Sequence, residues 1–335
     1  MNKTLILLAV FILLGGAATW LVWSKEDPKT SVVSGDRNFA IKDPTEIYKI
    51  FIADRNGQTT TLERKADYWV FNGQQKVRKN AIENLLDAIT RIEMKYKPPM
   101  AAVNNMVKSL ATEGLKVEIY SKENQLLKSY YIGGGTSDER GTYIMMSDAE
   151  QPYVGHLPGW EGNLRFRFNL NGDDWRDRTL FEIEVEDIQS VYLEYPKQRN
   201  KSFKLDRKNN DFELSPFYDI TPVANKTVNP AQIEAYLSNF GRIVATGFHN
   251  DYEKKGGVLD KLPFCTLALT NVKGEEKVYR LFPIYSKEEL DPKTGEVLAE
   301  ANVLNYYVET QDGDLLTIQS RIINKVLWGY EFFFK

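Results

Sequence analysis

Leu62-Glu63-Arg64-Lys65, with Trp69 seven residues after the leucine, returns in the second half of the chain as Leu205-Asp206-Arg207-Lys208, with Phe212 seven after its leucine. Leucine, acid, arginine, lysine and a spaced aromatic keep one register, which a tandem duplication explains better than chance. The match extends both ways. Upstream, Ile47-Tyr48-Lys49-Ile50-Phe51-Ile52 and Ile188-Gln189-Ser190-Val191-Tyr192-Leu193 are β-rich runs of one pattern. Each leads into a turn-like stretch, Asp54-Arg55-Asn56-Gly57 in the first and Pro196 to Lys201 in the second. Downstream, Val77, Ile82-Glu83 and Leu86 are matched by Val228, Ile233-Glu234 and Leu237. Ile82, Leu85, Leu86, Ile89 and Ile92 fall at helical spacing. In the second copy Asn229 and Pro230 form an N-cap and first helical residue, followed by the stripe Ile233, Leu237, Phe240.

Further strands are predicted after each helix. Leu115 to Tyr120 and Leu126 to Ile132 flank one turn; Cys265 to Leu269 and Lys277 to Phe282 flank another. A closing pair is expected in each copy: Gly141 to Met146 with Leu164 to Phe168, and Asn305 to Thr310 with Glu331 to Phe334. The first copy adds an amphipathic helix from about Ala101 to Glu113, stopped by Gly114. The expected fold class is α+β: an N-terminal transmembrane helix, then two tandem related lobes, each a mainly antiparallel sheet with one or two covering helices. The expected segments are an anchor, 1–24, a tether, 25–40, a first repeat, 41–172, and a second, 173–335. Residues shared by both copies define the fold, which weighs against Arg64, Arg207 and Trp69 as site residues.

Leu5 to Trp23 is nineteen residues without a charge. A helix of that length spans about 30 Å, close to the hydrocarbon thickness of a bilayer. Trp20 and Trp23 stand at its outer end, where indole rings favour the interface, and Lys3 places the N-terminus in the cytoplasm by the positive-inside rule. A cleaved signal peptide is the competing reading, because Gly15-Gly16-Ala17-Ala18 is small. The apolar run continues through Leu21-Val22-Trp23, which favours an uncleaved anchor.

The chain has 335 residues and a formal charge of −3. With Lys3 and Lys25 set aside as flanks of the apolar segment, 41 bases face 46 acids in the body. That mildly acidic body argues against nucleic acid as the main partner, since phosphate binding needs a basic footprint. The one cysteine, Cys265, sits in the apolar run Phe264 to Leu269 and reads as a buried strand residue.

Chemistry-bearing patterns are sparse. Two histidines, His156 and His249, and one cysteine supply no zinc motif, and no cofactor is implied. Glu182, Glu184 and Glu186 alternate with Phe181, Ile183 and Val185 as the solvent face of a strand would. Gly133-Gly134-Gly135-Thr136 reads as a flexible turn, because no phosphate-loop lysine follows. His156 lies in Tyr153 to Trp160, read as a loop. The densest segment, Asn171-Gly172-Asp173-Asp174-Trp175-Arg176-Asp177-Arg178, joins the copies. Trp175, Arg176 and Arg178 could anchor a partner, since Trp and Arg dominate interface hot spots. The favoured reading is a latch between lobes, with Trp175 buried and the charges paired beside it.

The N-terminal apolar helix, Arg37 to Ile41, Ile50-Phe51-Ile52-Ala53-Asp54, Leu85-Leu86 with Ile89, Val117-Glu118-Ile119-Tyr120, Gly141-Thr142-Tyr143, the Tyr153 to Trp160 loop and Asp174-Trp175-Arg176-Asp177 together resemble the membrane-associated proteins of domain of unknown function 4340. That resemblance implies a single-pass bacterial envelope protein of the Bacteroidetes type, with relatives beside gliding-type ABC transport components. It transfers no catalytic residue. The expected function is a non-catalytic interaction or scaffold module at the bacterial inner membrane, held by residues 5–23, with its body in the periplasm and a protein partner in the envelope. It would serve as an accessory of an ABC-type transporter or envelope complex. The alternative is a glycan or small-molecule binding module in the inter-lobe cleft. A hydrolase using Asp173 and Asp174 ranks third. The residues expected to touch ligand or partner are His156, Trp160, Trp175, Arg176 and Arg178.

Overall fold

The computed structural model describes residues 36–209, 211–222, 226–287, 289–290, 297–299 and 302–334. The expected anchor and most of the tether lie outside them. No helix among the described residues is long and apolar enough to cross a membrane. The protein is mixed α/β, with mostly antiparallel sheets and few helices. It divides into two compact units between Leu170 and Asn171.

The first unit runs β1 (Lys49–Ala53), β2 (Thr59–Arg64), β3 (Trp69–Phe71), β4 (Gln75–Lys76), α1 (Lys79–Arg91), β5 (Glu93–Tyr96), α2 (Met100–Glu113), β6 (Leu115–Tyr120), β7 (Leu126–Gly135), β8 (Thr142–Met146) and β9 (Tyr153–His156). Its sheet has the order β4-β3-β2-β1-β6-β7-β8-β9-β5. The second unit opens with β10 (Thr179–Phe181), then β11 (Ile188–Glu194), β12 (Phe203–Lys208), β13 (Asp211–Pro216) and α3 (Pro230–Ser238). There follow β14 (Ile243–Val244), β15 (Gly247–Phe248), α4 (Lys255–Leu259), β16 (Cys265–Asn271), β17 (Glu276–Tyr285), β18 (Glu289–Leu290), β19 (Val297–Ala299), β20 (Val303–Thr310), β21 (Leu315–Gln319) and α5 (Ser320–Ile323). Its main sheet has the order β13-β12-β11-β16-β17-β20-β21-β15. The two orders superpose strand for strand from β3 and β13 to β5 and β15. Among the described residues of the two main sheets, only β4 lacks a counterpart.

Register repeats as well as order. Ile50 faces Leu62 on one side and Ile119 on the other; Val191 faces Leu205 and Leu269. These side chains share the buried face because directly opposed residues of paired strands project to the same side of the sheet. The amphipathic helices are laid down as their spacing predicts. Leu85, Ala88 and Ile89 of α1 are fully buried, and Ile233, Tyr236 and Leu237 of α3 are buried. Asn229 caps α3 by accepting the N–H of Ala231 at 3.2 Å.

The shared arginine is a staple in both units. Arg64 donates to the carbonyl of Pro44 at 2.7 Å, and its guanidinium lies 5.1 Å from the Trp69 ring centroid. Arg207 donates to the carbonyls of Ile188 at 2.7 Å and Val185 at 2.5 Å, and lies 4.5 Å from Phe212. Each fastens the turn before β1 or β11 to the aromatic of β3 or β13. Arg64→Ala and Arg207→Ala should therefore each lower stability, by about 2 kcal/mol, in urea unfolding. A loss at only one of the two positions would show that the staple is not common to both units.

Four sequence expectations are corrected. The partner of β8 is β9, and Leu164–Arg167 is a 3₁₀ turn. Thr142 Oγ takes the N–H of Leu164 at 2.7 Å and Asn163 takes that of Arg165 at 2.9 Å, so these donors are withdrawn from a ladder. Likewise β20 pairs with β21, and Tyr330–Phe333 is a 3₁₀ turn. Three residues per turn set Tyr330 and Phe333 on one side, where both are buried; a strand would oppose them. The acidic alternation beyond Phe181 is not a strand: Ile183 bonds to the Phe240 carbonyl at 3.3 Å, and Val185–Asp187 is a 3₁₀ turn. Gly133 to Gly135 belong to β7 rather than to a turn. A Cβ on Gly133 would stand 2.9 Å from Leu110 Cδ2 and 3.2 Å from Tyr143 Cβ, so glycine there admits α2 against the sheet.

Candidate functional site

His156 and Trp160 belong to the first unit, and Trp175, Arg176 and Arg178 to the second. His156 ends β9 and pairs with Glu93, so it is a strand residue and not a loop one. Past it, the chain turns so that the N–H of Trp160 meets the Leu157 carbonyl at 3.1 Å. Gly162 has φ +142°, and a Cβ there would fall 2.6 Å from the Trp160 ring, so only glycine leaves the indole its place.

The Arg167 guanidinium lies 4.9 Å from the Trp160 ring centroid. It is held by Asp87 Oδ2 at 2.6 Å and the Asn84 carbonyl at 3.1 Å. Arg91 binds the other Asp87 oxygen at 2.8 Å and the Pro158 carbonyl at 2.7 Å. Burial works to raise the Asp87 carboxyl; its hydrogen bonds to Arg91 and Arg167 outweigh that and hold it below its ordinary value. Indole and guanidinium are thus pre-positioned by α1. Trp160 is nevertheless 37% exposed, and Phe166, next to Arg167 in the chain, is 73% exposed. Phe166 was not singled out from sequence, because read as a strand residue it carried no signal of exposure.

In the second unit Arg176 and Arg178 are held by carboxylates and a backbone carbonyl. Trp175 has no exposed surface. Arg176 binds both oxygens of Asp314, at 3.1 and 2.5 Å, and Asp173 at 2.9 Å, with its guanidinium 4.2 Å from the Phe248 ring centroid. Asn250 bridges the two carboxylates at 2.9 Å each and accepts the N–H of Leu315. Arg178 donates to the Thr246 carbonyl at 2.5 Å and to Asp174 at 3.2 Å. Burial acts to raise the Asp314 carboxyl, but hydrogen bonds from Arg176 and Asn250, with the charges of Arg176 and Lys255, hold it below its ordinary value. This network ties the turn before β10, the turn after β15 and the β20–β21 hairpin together.

Cys265 is fully buried at the head of β16, and burial pushes its thiol well above the ordinary value. Among the described residues no group of three or more His, Cys, Asp or Glu is placed to hold a metal ion.

Two successive units thus share one antiparallel strand order, and the first leaves Trp160 and Phe166 exposed. The chain belongs to the family described as Domain of unknown function (DUF4340), whose model matches residues 69–261, from β3 to just past α4. No curated protein and no solved structure matches the chain.

Proposed function

We propose that this protein is a duplicated, non-catalytic interaction module, anchored in a bacterial inner membrane by residues 5–23, with both units in the periplasm. It engages a protein partner of an envelope or ABC-type transport complex through the Trp160–Phe166 face. The observation that carries this reading is the exposure of Trp160 and Phe166 beside an arginine already fixed by Asp87. Trp and Arg are the residues that most often dominate interface energetics, and a pre-positioned side chain loses less entropy on binding. The uncharged nineteen-residue segment supports the membrane address.

A photo-crosslinking amino acid at position 166, in native membranes, should capture one reproducible neighbour. Trp160→Ala should cut that yield about tenfold, a typical hot-spot loss, while leaving the melting temperature nearly unchanged. Recovery of the protein alone, or a yield indifferent to Trp160→Ala, would remove this face from the proposal.

A further inference from the structure

We infer that the second unit carries a separate docking groove for a lysine-rich, aliphatic peptide segment of a protein partner, between the loop Glu182 to Asp187 and the β16–β17 hairpin. The inference stands independently of the Trp160 face. The groove encloses about 400 Å³. Its floor is apolar: Phe181 and Leu269 are buried, and Ile183 is half-buried. Its rim carries Glu182, Glu184, Asp187 and Glu275 against Lys273 and Lys277. Lys277 turns its amine to the Leu180 carbonyl at 3.4 Å, and Glu275 is held by Asn271 at 2.7 Å. Four carboxylates against two amines leave the rim net acidic, with Glu182, Glu184 and Asp187 exposed.

The duplication shows that this character is not demanded by the fold. Ile41 N–H bonds to the Ile89 carbonyl as Ile183 N–H bonds to that of Phe240, so the two isoleucines are structural equivalents. Ile41 is only 6% exposed, and its neighbours are Ala40 and Lys42, where the second unit has Glu182 and Glu184. In the first copy the isoleucine is buried between an alanine and a lysine; in the second it is half-buried between two exposed glutamates. An apolar floor under an anionic rim matches side chains that join a hydrocarbon body to a cation. A lysine-rich segment with aliphatic neighbours offers both within the reach of a pocket this size.

The test uses the full-length chain in detergent micelles and a fluorescein-labelled hexapeptide of alternating lysine and leucine, followed by anisotropy. Saturable binding that weakens with added salt is expected. The double variant Glu182→Gln/Glu184→Gln, at exposed positions, should bind about tenfold more weakly, and Val272→Ser should bind more weakly as well. The matched glutamate–leucine peptide should not bind. Equal binding of the two peptides, unchanged affinity in the double variant, or no binding to the wild type up to about 1 mM would each overturn the assignment. Capture at position 166 is read separately, so either site can fail alone.

Discussion

Asp314→Ala should destabilise the folded chain by about 3–5 kcal/mol, because it removes two charge-assisted hydrogen bonds from Arg176 and one from Asn250, and leaves the guanidinium to Asp173 in a site from which water is largely excluded. The side chains of Arg176 and Asp314 are only 13% and 20% exposed. Asp314→Asn should cost less, since an amide still offers an oxygen to Arg176. The pH dependence gives the sign. The Asp314 carboxyl is held below its ordinary value of 3.8 in the folded chain. Its contribution is therefore complete above the unfolded value and is lost as pH falls through the folded one. The stability gap between wild type and Asp314→Asn should be constant near neutrality and shrink in acid below about pH 3.8. Urea unfolding across that range, with hydrogen exchange of β20 and β21 as the local readout, measures it. A gap that persists unchanged to pH 2 would show that the ionised pair is not what holds the hairpin.

That network also marks the limit of what the sequence discloses. Ile50, Leu62 and Ile119, with Val191, Leu205 and Leu269, were legible because strand periodicity is local and the duplication states it twice. The Asn229 cap and the stop at Gly114 were legible for the same reason. Asp314 is 138 residues from Arg176, and no spacing rule connects them. Trp160 was singled out as a contact residue, but its support is long-range: Arg167, which stacks on it, binds Asp87 eighty residues away. Where local pattern misled, a side chain had intervened. Thr142 and Asn163 withdraw the donors that would have made Leu164 to Phe168 a strand, and Arg207 takes the Val185 carbonyl. Gly133 looked like a turn because glycine's second use, admitting a helix to a strand, depends on the position of Leu110.

Phe333→Ala should be as damaging as the loss of Asp314, at about 3–5 kcal/mol. Phe333 is fully buried, with its ring centroid 4.9 Å from Phe203, 5.3 Å from Tyr236 and 5.6 Å from Trp328. Its carbonyl accepts the N–H of Asn229 at 2.8 Å, which seats the start of α3 on the end of the chain. Phe332, 62% exposed, should tolerate alanine within about 0.5 kcal/mol. Tyr330→Ala decides between the two backbone forms. On a 3₁₀ turn Tyr330 and Phe333 share the buried side, so both alanines should be costly; on a strand Tyr330 would lie opposite Phe333 and be nearly silent. Thermal unfolding of the three variants separates these outcomes. The first unit offers the parallel case. Its 3₁₀ turn Leu164–Arg167 buries Leu164 and leads into Phe168, which packs edge-on to Tyr130 at 6.5 Å. Phe168→Ala should therefore cost a similar amount, because in both units a 3₁₀ turn at the end carries the aromatic that completes the core.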